Sequence, residues 1–170
     1  TLIFLIRIFA TYSGAHFNPI VSLLFFFKRE LSSKDLIIYI VIQCVAAILG
    51  TMFANFLFGL NVIEISTNIR SGNNIYISET FATFGLLMVI LLSRADGKNI
   101  VAFNVGIYIC AALIFTSSTS FANPAVTISR MLTESFTGIH PSTVLLFIGS
   151  QVIGLGIAYK VYTQVFEKKS

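Results

Sequence analysis

Two Asn-Pro pairs inside apolar sequence constrain this chain more than any other feature: "FNPI" at residues 17–20 and "ANPA" at residues 122–125. Asn is favoured at the cap before a helix and Pro at the first helical position, so each pair predicts a helix start. The helices expected over residues 18–28 and 123 to about 134 reach across only about half of a bilayer. A helix that begins in mid-membrane must be buried in protein or line a watery cavity.

Composition places the chain in a membrane. Hydrophobic residues make up 56% of it and charged residues 11%, against about 25% in soluble domains. Four apolar runs, at residues 35–60, 76–93, 100–116 and 142–165, are long enough or nearly long enough to span a bilayer. A fifth run, residues 2–12, is similar to the end of a span, and we expect its beginning to lie upstream.

The charged residues orient these spans. If the chain crosses alternately, Arg70 and Arg130 fall on one side and most of the other basic residues on the opposite side, which is therefore expected to be cytoplasmic. That larger set comprises Lys28, Arg29, Lys34, Arg94, Lys98, Lys160, Lys168 and Lys169. Because they occupy short loops between apolar runs, they indicate topology and do not indicate nucleic-acid binding.

The sequence gives little support for a disulfide, a metal site or a catalytic site. Cys44 and Cys110 lie in apolar runs, which favours small buried hydrophobic side chains over a disulfide or a metal site. No nucleophile–base pair, metal cluster or phosphate-binding loop is evident in the sequence. We therefore expect neither an enzyme nor a cofactor or metal.

The two halves of the chain repeat. Each Asn-Pro pair is followed by a Gln within a span rich in small residues, Gln43 in the first half and Gln151 in the second. An odd number of spans separates the repeats, so they enter the membrane from opposite sides and form an inverted repeat. We expect one channel domain over residues 1–170, with residues 1–60 in the first repeat and 75–165 in the second.

Three stretches carry a family resemblance: "SGAHFNPIVS" (13–22), "SETFATFGLLMVI" (78–90) and "FANPAVTISR" (121–130). They resemble the aquaporin and glycerol-channel family, the major intrinsic proteins, with Ile20 where the family usually has Ala. The resemblance implies an all-α membrane protein: an aquaporin-like inverted-repeat bundle with two half-membrane helices. Against that pattern, the first transmembrane helix and part of the second are expected to be missing.

The resemblance also implies roles for individual residues. The half-helices would meet at the midplane, where the amides of Asn18 and Asn123 donate to a passing neutral solute and two positive helix ends oppose cations. The buried carboxylate of Glu79 would support the loop before the second half-helix. The two motifs comprise Asn18, Pro19, Ile20, Asn123, Pro124 and Ala125, and the pore-lining positions are Gly14, Ala15, His16, Phe121 and Ala122.

The constriction departs from the family pattern. Most members have Arg directly after the second motif, where this chain has Val126. By resemblance, Ser120 and Ala111 occupy two further constriction positions, and the fourth lies before Thr1. A wide ring of weak polarity is expected, which would pass bulky uncharged solutes.

Arg130 lies four residues after Val126 and therefore on nearly the same face of a helix. It could place a displaced positive charge at the outer mouth of the pore. It could instead form an ordinary ion pair with Glu134, which also lies four residues away. The sequence does not choose between them.

Residues 116–141 are also similar to a bacterial subgroup associated with arsenic-resistance genes, whose members are regarded as channels for arsenite. We predict a passive channel for glycerol, arsenite as As(OH)₃ and water, in the cell membrane and associated with the lipid bilayer. A homotetramer is implied by resemblance. Two alternatives remain open: a mainly water-conducting aquaporin, and a non-conducting truncated remnant.

Overall fold

The computed structural model describes residues 1–167, and every regular element in that range is helical. Four helices are long and apolar enough to cross a membrane, and their positions agree with the predicted runs to within a few residues. Lys168 and Lys169, which the charge argument used, lie outside the described residues. In chain order the helices are α1 (Leu2–Ser13), α2 (Pro19–Phe27), α3 (Ser33–Leu57), α4 (Asn73–Ser93), α5 (Lys98–Phe115), α6 (Pro124–Ser129) and α7 (Pro141–Val161).

The predicted helix starts at the Asn-Pro pairs are confirmed. Asn18 and Asn123 have extended backbone, with φ of −157° and −159°, and each side chain accepts a hydrogen bond from the following helix. Asn18 Oδ1 accepts from the N–H of Ile20 at 2.9 Å, and Asn123 Oδ1 accepts from the N–H of Ala125 at 3.0 Å. The local cap chemistry therefore fixes where both short helices begin.

The second short helix is shorter than predicted. It ends at Ser129, a 3₁₀ turn follows over Arg130–Leu132, and Thr133 is extended. The carbonyl of Arg130, which would accept from the N–H of Glu134 in a longer helix, instead accepts from the N–H of Ile139 at 3.2 Å. The next two carbonyls are also bound by other segments: Ser66 donates its N–H to Met131 O at 2.9 Å, and Asn55 donates its side-chain amide to Leu132 O at 2.9 Å.

The bundle packs most closely between α4 and α7, because a glycine removes a side chain at their crossing. A Cβ built on Gly154 would lie 2.6 Å from the backbone oxygen of Thr80 and 2.9 Å from Cβ of Thr83. Apolar side chains on the outer faces, including most of α3, are exposed, as expected for helices that contact lipid. Cys110 is exposed and Cys44 half-buried, so the prediction that both are buried is corrected. The architecture is that of an aquaporin-like membrane helical bundle.

Candidate functional site

The two short helices meet through reciprocal hydrogen bonds. Asn18 Nδ2 donates to the carbonyl of Ala122 at 2.7 Å, and Asn123 Nδ2 donates to the carbonyl of Phe17 at 2.9 Å. Each amide therefore binds the residue that precedes the opposite asparagine. Since a side-chain amide carries two N–H groups, each asparagine keeps a second donor after this bond.

The backbone that leads into each short helix is unusual in the same way. Ala15 and Phe17 have φ of 49° and 48°, and the matching residues Ser120 and Ala122 have φ of 46° and 45°. Residues other than glycine rarely adopt this left-handed region, and such conformations concentrate at functional sites. Gly14 and Thr119 also have positive φ, of 70° and 60°, so both loops approach the meeting point with the same series of left-handed residues.

Glu79 holds the loop before α6. Its carboxylate is fully buried and accepts hydrogen bonds from the N–H of Ala122 at 2.5 Å and of Phe121 at 3.2 Å. Gln151 donates its side-chain amide to the same carboxylate at 2.8 Å. The charged acceptor satisfies N–H groups that have no helical partner, and such bonds are stronger than neutral ones.

A matching glutamine bond occurs in each half of the chain. Gln43 Nε2 donates to Ser22 Oγ at 3.0 Å, and Gln151 Nε2 donates to Thr127 Oγ1 at 2.9 Å. Ser22 and Thr127 each lie four residues after their asparagine. These equivalent bonds are what an inverted repeat would produce, although the division at residues 1–60 and 75–165 stays a prediction.

A cavity of about 720 Å³ is lined by both asparagines, Asn18 and Asn123. At one end it is bordered by charged residues of the side predicted to be cytoplasmic, and at the other by Val126 and Arg130. Of the predicted site residues, those that line it are Gly14, Ala15, His16, Asn18, Ser120, Phe121, Asn123, Val126 and Arg130. The remaining motif residues Pro19, Ile20, Pro124 and Ala125, together with Ala122, are buried behind that surface.

Ala111, which resemblance assigns to the constriction, is exposed on α5 and is absent from the cavity lining, whereas Leu113 is part of it. A helix turns by about 100° per residue, so side chains two residues apart point to nearly opposite sides. The apolar lining residues of α5 recur every four positions, at Val101, Val105, Ile109 and Leu113. The role of Ala111 in the constriction stays a prediction.

The structure places Arg130 on the cavity and not beside Glu134. Its guanidinium carbon lies 4.3 Å from the centroid of the Phe121 ring. The carboxylate of Glu134 instead accepts hydrogen bonds from the backbone N–H and the hydroxyl of Thr67, at 2.6 and 2.7 Å. Arg130 and Glu134 do not face each other as residues four apart in a helix would, because the helix has already ended at Ser129.

The opposite end of the cavity has an ion pair. Arg94 donates two hydrogen bonds to the carboxylate of Glu30, at 2.8 and 2.6 Å, and its guanidinium carbon lies 5.1 Å from the Phe25 ring. His16 stacks on the same ring at 4.6 Å. From the sequence, Arg94 was assigned only to the side of the membrane with most basic residues, and neither Glu30 nor Phe25 was assigned a role. Only contacts between distant segments reveal this cluster.

Arg70 is the main residue that sequence reasoning missed. It was assigned only to the outer side, yet it is 9% exposed and its guanidinium carbon lies 5.0 Å from the Phe121 ring. A buried arginine in a loop rich in polar residues has no periodic pattern that would identify it beforehand.

The comparisons with known proteins agree with this geometry. The family described as Major intrinsic protein matches residues 1–120. Aquaglyceroporin AqpS of Rhizobium meliloti (strain 1021) is 40% identical over 153 residues, which cover 90% of this chain and 66% of that protein. Aquaporin-4 of Notomys alexis is 26% identical over 174 residues, covering 95% of this chain and 52% of that protein. Aquaporin-4 of Bos taurus is 29% identical over 136 residues, covering 71% and 41% respectively.

The chain thus spans between about two fifths and two thirds of the length of these relatives. The family match extends from α1 through the loop that precedes α6, and the alignment with AqpS covers nine tenths of the chain. On this evidence the chain belongs to the major intrinsic protein family.

Proposed function

We propose that this protein is a passive channel for small uncharged solutes: glycerol, arsenite as As(OH)₃ and water. Members of its family are multi-pass plasma-membrane channels and not enzymes. The main observation in support of the proposal is the cavity of about 720 Å³, which is lined by Asn18 and Asn123.

The chemistry of the cavity wall suits neutral hydroxylated solutes. Asn18 and Asn123 each keep one N–H donor beyond the bond that joins the short helices, and a solute oxygen can accept it. The facing wall is apolar, with Leu86, Ile90 and Val105. A solute can exchange hydrogen bonds with the polar side of the cavity while the apolar side keeps the binding weak. Weak binding is required for conduction, because the solute must also leave.

The outer part of the cavity favours solutes larger than water. Ser120 and Val126 line it, and neither has a long polar side chain. Arg130 brings a charge near this point, but it rests against the Phe121 ring one helical turn beyond Val126. The name of AqpS, an aquaglyceroporin, supports glycerol, and the stretch at residues 116–141 supports arsenite.

We further propose that the protein works as a homotetramer with one pore in each subunit, as its family resemblance implies. The exposed apolar face of α3 supports a surface that is covered by lipid or by a neighbouring subunit. Cross-linking of the purified protein in detergent tests this assembly, and a purely monomeric product would contradict it.

The test is solute entry into liposomes that contain the protein, expressed from its complete reading frame. Stopped-flow light scattering measures the entry of glycerol, arsenite and water. Three forms are compared: the wild type, Val126→Arg, which adds a charge and bulk at the constriction, and Val126→Leu, which adds bulk alone.

The proposal expects the wild type to admit glycerol and arsenite, Val126→Arg to reduce both sharply, and Val126→Leu to stay close to the wild type. Fast water entry without either solute would instead indicate a water channel. No conduction at all by correctly inserted protein would overturn the channel proposal.

A further inference from the structure

Arg70 ties together the three loops that surround the outer end of the cavity. Its side chain donates hydrogen bonds to the carbonyl of Gly138 at 2.8 Å, to the carbonyl of Phe136 at 2.9 Å and to the hydroxyl of Thr119 at 3.2 Å. Thr119 precedes α6, while Phe136 and Gly138 follow it. A planar guanidinium with five fixed donors can hold such a set, and a lysine cannot.

The same guanidinium packs on a ring that lines the cavity. The Phe121 ring has the Arg70 guanidinium carbon 5.0 Å from its centroid and that of Arg130 at 4.3 Å. Each cation is attracted by the electrons of the ring, and the attraction is stronger where water is excluded. Two like charges that share one ring also repel each other, and this repulsion is strong where the surroundings are apolar.

The free polar groups at this place face the cavity. Ser120 is 4% exposed, it lines the cavity, and its hydroxyl has no hydrogen-bond partner among the described residues. Arg130 also lines the cavity, where its guanidinium packs on the Phe121 ring. A buried hydroxyl without a partner normally costs stability, so its presence on a cavity points to a ligand.

We propose that Arg70 is a positioning residue for the outer constriction: it fixes the Phe121 ring and, by like-charge repulsion, turns the guanidinium of Arg130 towards the solute path. This inference rests on the proposed function. Arg130 then donates to a solute oxygen and Ser120 exchanges a hydrogen bond with a solute hydroxyl. The solute class is a neutral molecule that has both hydroxyl donors and oxygen acceptors, whereas a small cation is repelled.

The experiment compares the entry of glycerol with that of radiolabelled methylammonium, a small cation, into liposomes that contain the full protein. The variants are Arg70→Met, Arg130→Met and the double variant. Arg70→Lys keeps the positive charge but loses the planar set of donors. It is the control in case Arg70→Met fails to fold because no cation is present at this position. Lys34→Met, at an exposed position at the start of α3, is the matched control for loss of a positive charge.

Arg70→Met should raise the permeability ratio of methylammonium to glycerol by about tenfold, because the guanidinium of Arg130 is then no longer held at the solute path and the effect of one charge at a distance of several ångströms is lost there. Arg130→Met should do the same. The double variant should add nothing to Arg130→Met, because Arg70 acts through Arg130. Arg70→Lys keeps the positive charge and should therefore change the ratio less than Arg70→Met does, whereas Lys34→Met should keep the wild-type ratio.

The inference is overturned if the wild type admits glycerol and Arg70→Met leaves the ratio unchanged, or if the two single effects multiply in the double variant. An equal loss of both fluxes in Arg70→Met and Arg70→Lys would show a purely structural role and would also overturn it. A wild type that admits no glycerol would instead defeat the proposed function itself, which separates the two failures.

Discussion

Asn18 and Asn123 hold the two short helices together by a reciprocal exchange, in which each side-chain amide donates to the carbonyl that precedes the other asparagine, at 2.7 and 2.9 Å. Each asparagine therefore acts twice: its oxygen caps its own helix, and its nitrogen binds the opposite one. An N-cap alone needs only the oxygen. Asp has no donor, and Ser or Thr would have to donate and accept through a single hydroxyl oxygen, whereas Asn places its acceptor and its two N–H donors on separate atoms.

Asn18→Asp should weaken the bundle. The carboxylate still accepts from the N–H of Ile20 but cannot donate to Ala122 O, and it places two acceptors against each other. We expect a loss of about 1–3 kcal/mol in the free energy of unfolding, measured in detergent with denaturant. Asn123→Asp should cost a similar amount. Asn99→Asp, at an exposed position in α5, is the control, and an equal loss there would contradict the explanation.

Glu79→Gln should lower both stability and solute flux. A glutamine has one acceptor oxygen, so its amide nitrogen would face either a backbone N–H of the 121–122 loop or the amide of Gln151. An unpaired buried donor costs about 1–3 kcal/mol, and the loop before α6 should lose its fixed shape. Glycerol entry per inserted protein measures the effect. Asp96→Asn, in an exposed turn, should leave flux unchanged; normal flux in Glu79→Gln would refute the supporting role.

Gly154→Ala should destabilise the crossing of α4 and α7. The added Cβ would lie 2.6 Å from the backbone oxygen of Thr80, which cannot move away as a side chain can. Overpacking of this kind costs about 1–3 kcal/mol. Gly156→Ala, two residues along the same helix, meets no atom within 4 Å. That variant should be neutral or slightly stabilising, since alanine favours a helix by up to about 1 kcal/mol over glycine. Thermal unfolding of the two proteins compares them directly, and equal stabilities would show that the close contact is not limiting.

The ion pair of Glu30 and Arg94 should respond only to strong acid. Hydrogen bonding from Arg94 lowers the pKa of Glu30 below its usual 4.5. Its contribution to stability is therefore present above about pH 4.5 and is lost as the pH falls through the lower pKa of the folded protein. Both side chains are about one third exposed, so the contribution is about 1 kcal/mol or less.

The measurement is the free energy of unfolding of the wild type and of Glu30→Gln between pH 3 and pH 7. Their difference should be constant above about pH 5 and shrink at lower pH. A difference that grows towards acid pH would reverse the assigned sign.

Local chemistry explains which parts of the fold were predictable. The starts of α2 and α6 depend on one asparagine and one proline each, and the long spans depend on runs of apolar residues. Both signals lie within a few neighbouring positions. The end of α6 was predicted wrongly because Ile139, beyond the helix, binds the carbonyl of Arg130 that a helix reaching Glu134 would have used, and no local sequence signal indicates that bond.

The candidate site was predictable to a similar extent. Resemblance assigns the motif residues and Val126, and it assigns Ala111 by its distance from Asn123. The structure places Val126 on the cavity and Ala111 on the exposed surface of α5, where Leu113 lines the cavity instead. Arg70 and its packing on Phe121 had no sequence signal, because nothing in a loop indicates which distant ring its side chain reaches.

The hydrogen bonds between the two short helices can form only at a late stage of protein synthesis. They join residues that are 104 and 106 positions apart, so neither can form until the ribosome has produced the second motif. Until then, the side-chain amide of Asn18 and the carbonyl of Phe17 lack these partners. The junction between the two short helices is therefore completed only after most of the chain has been made.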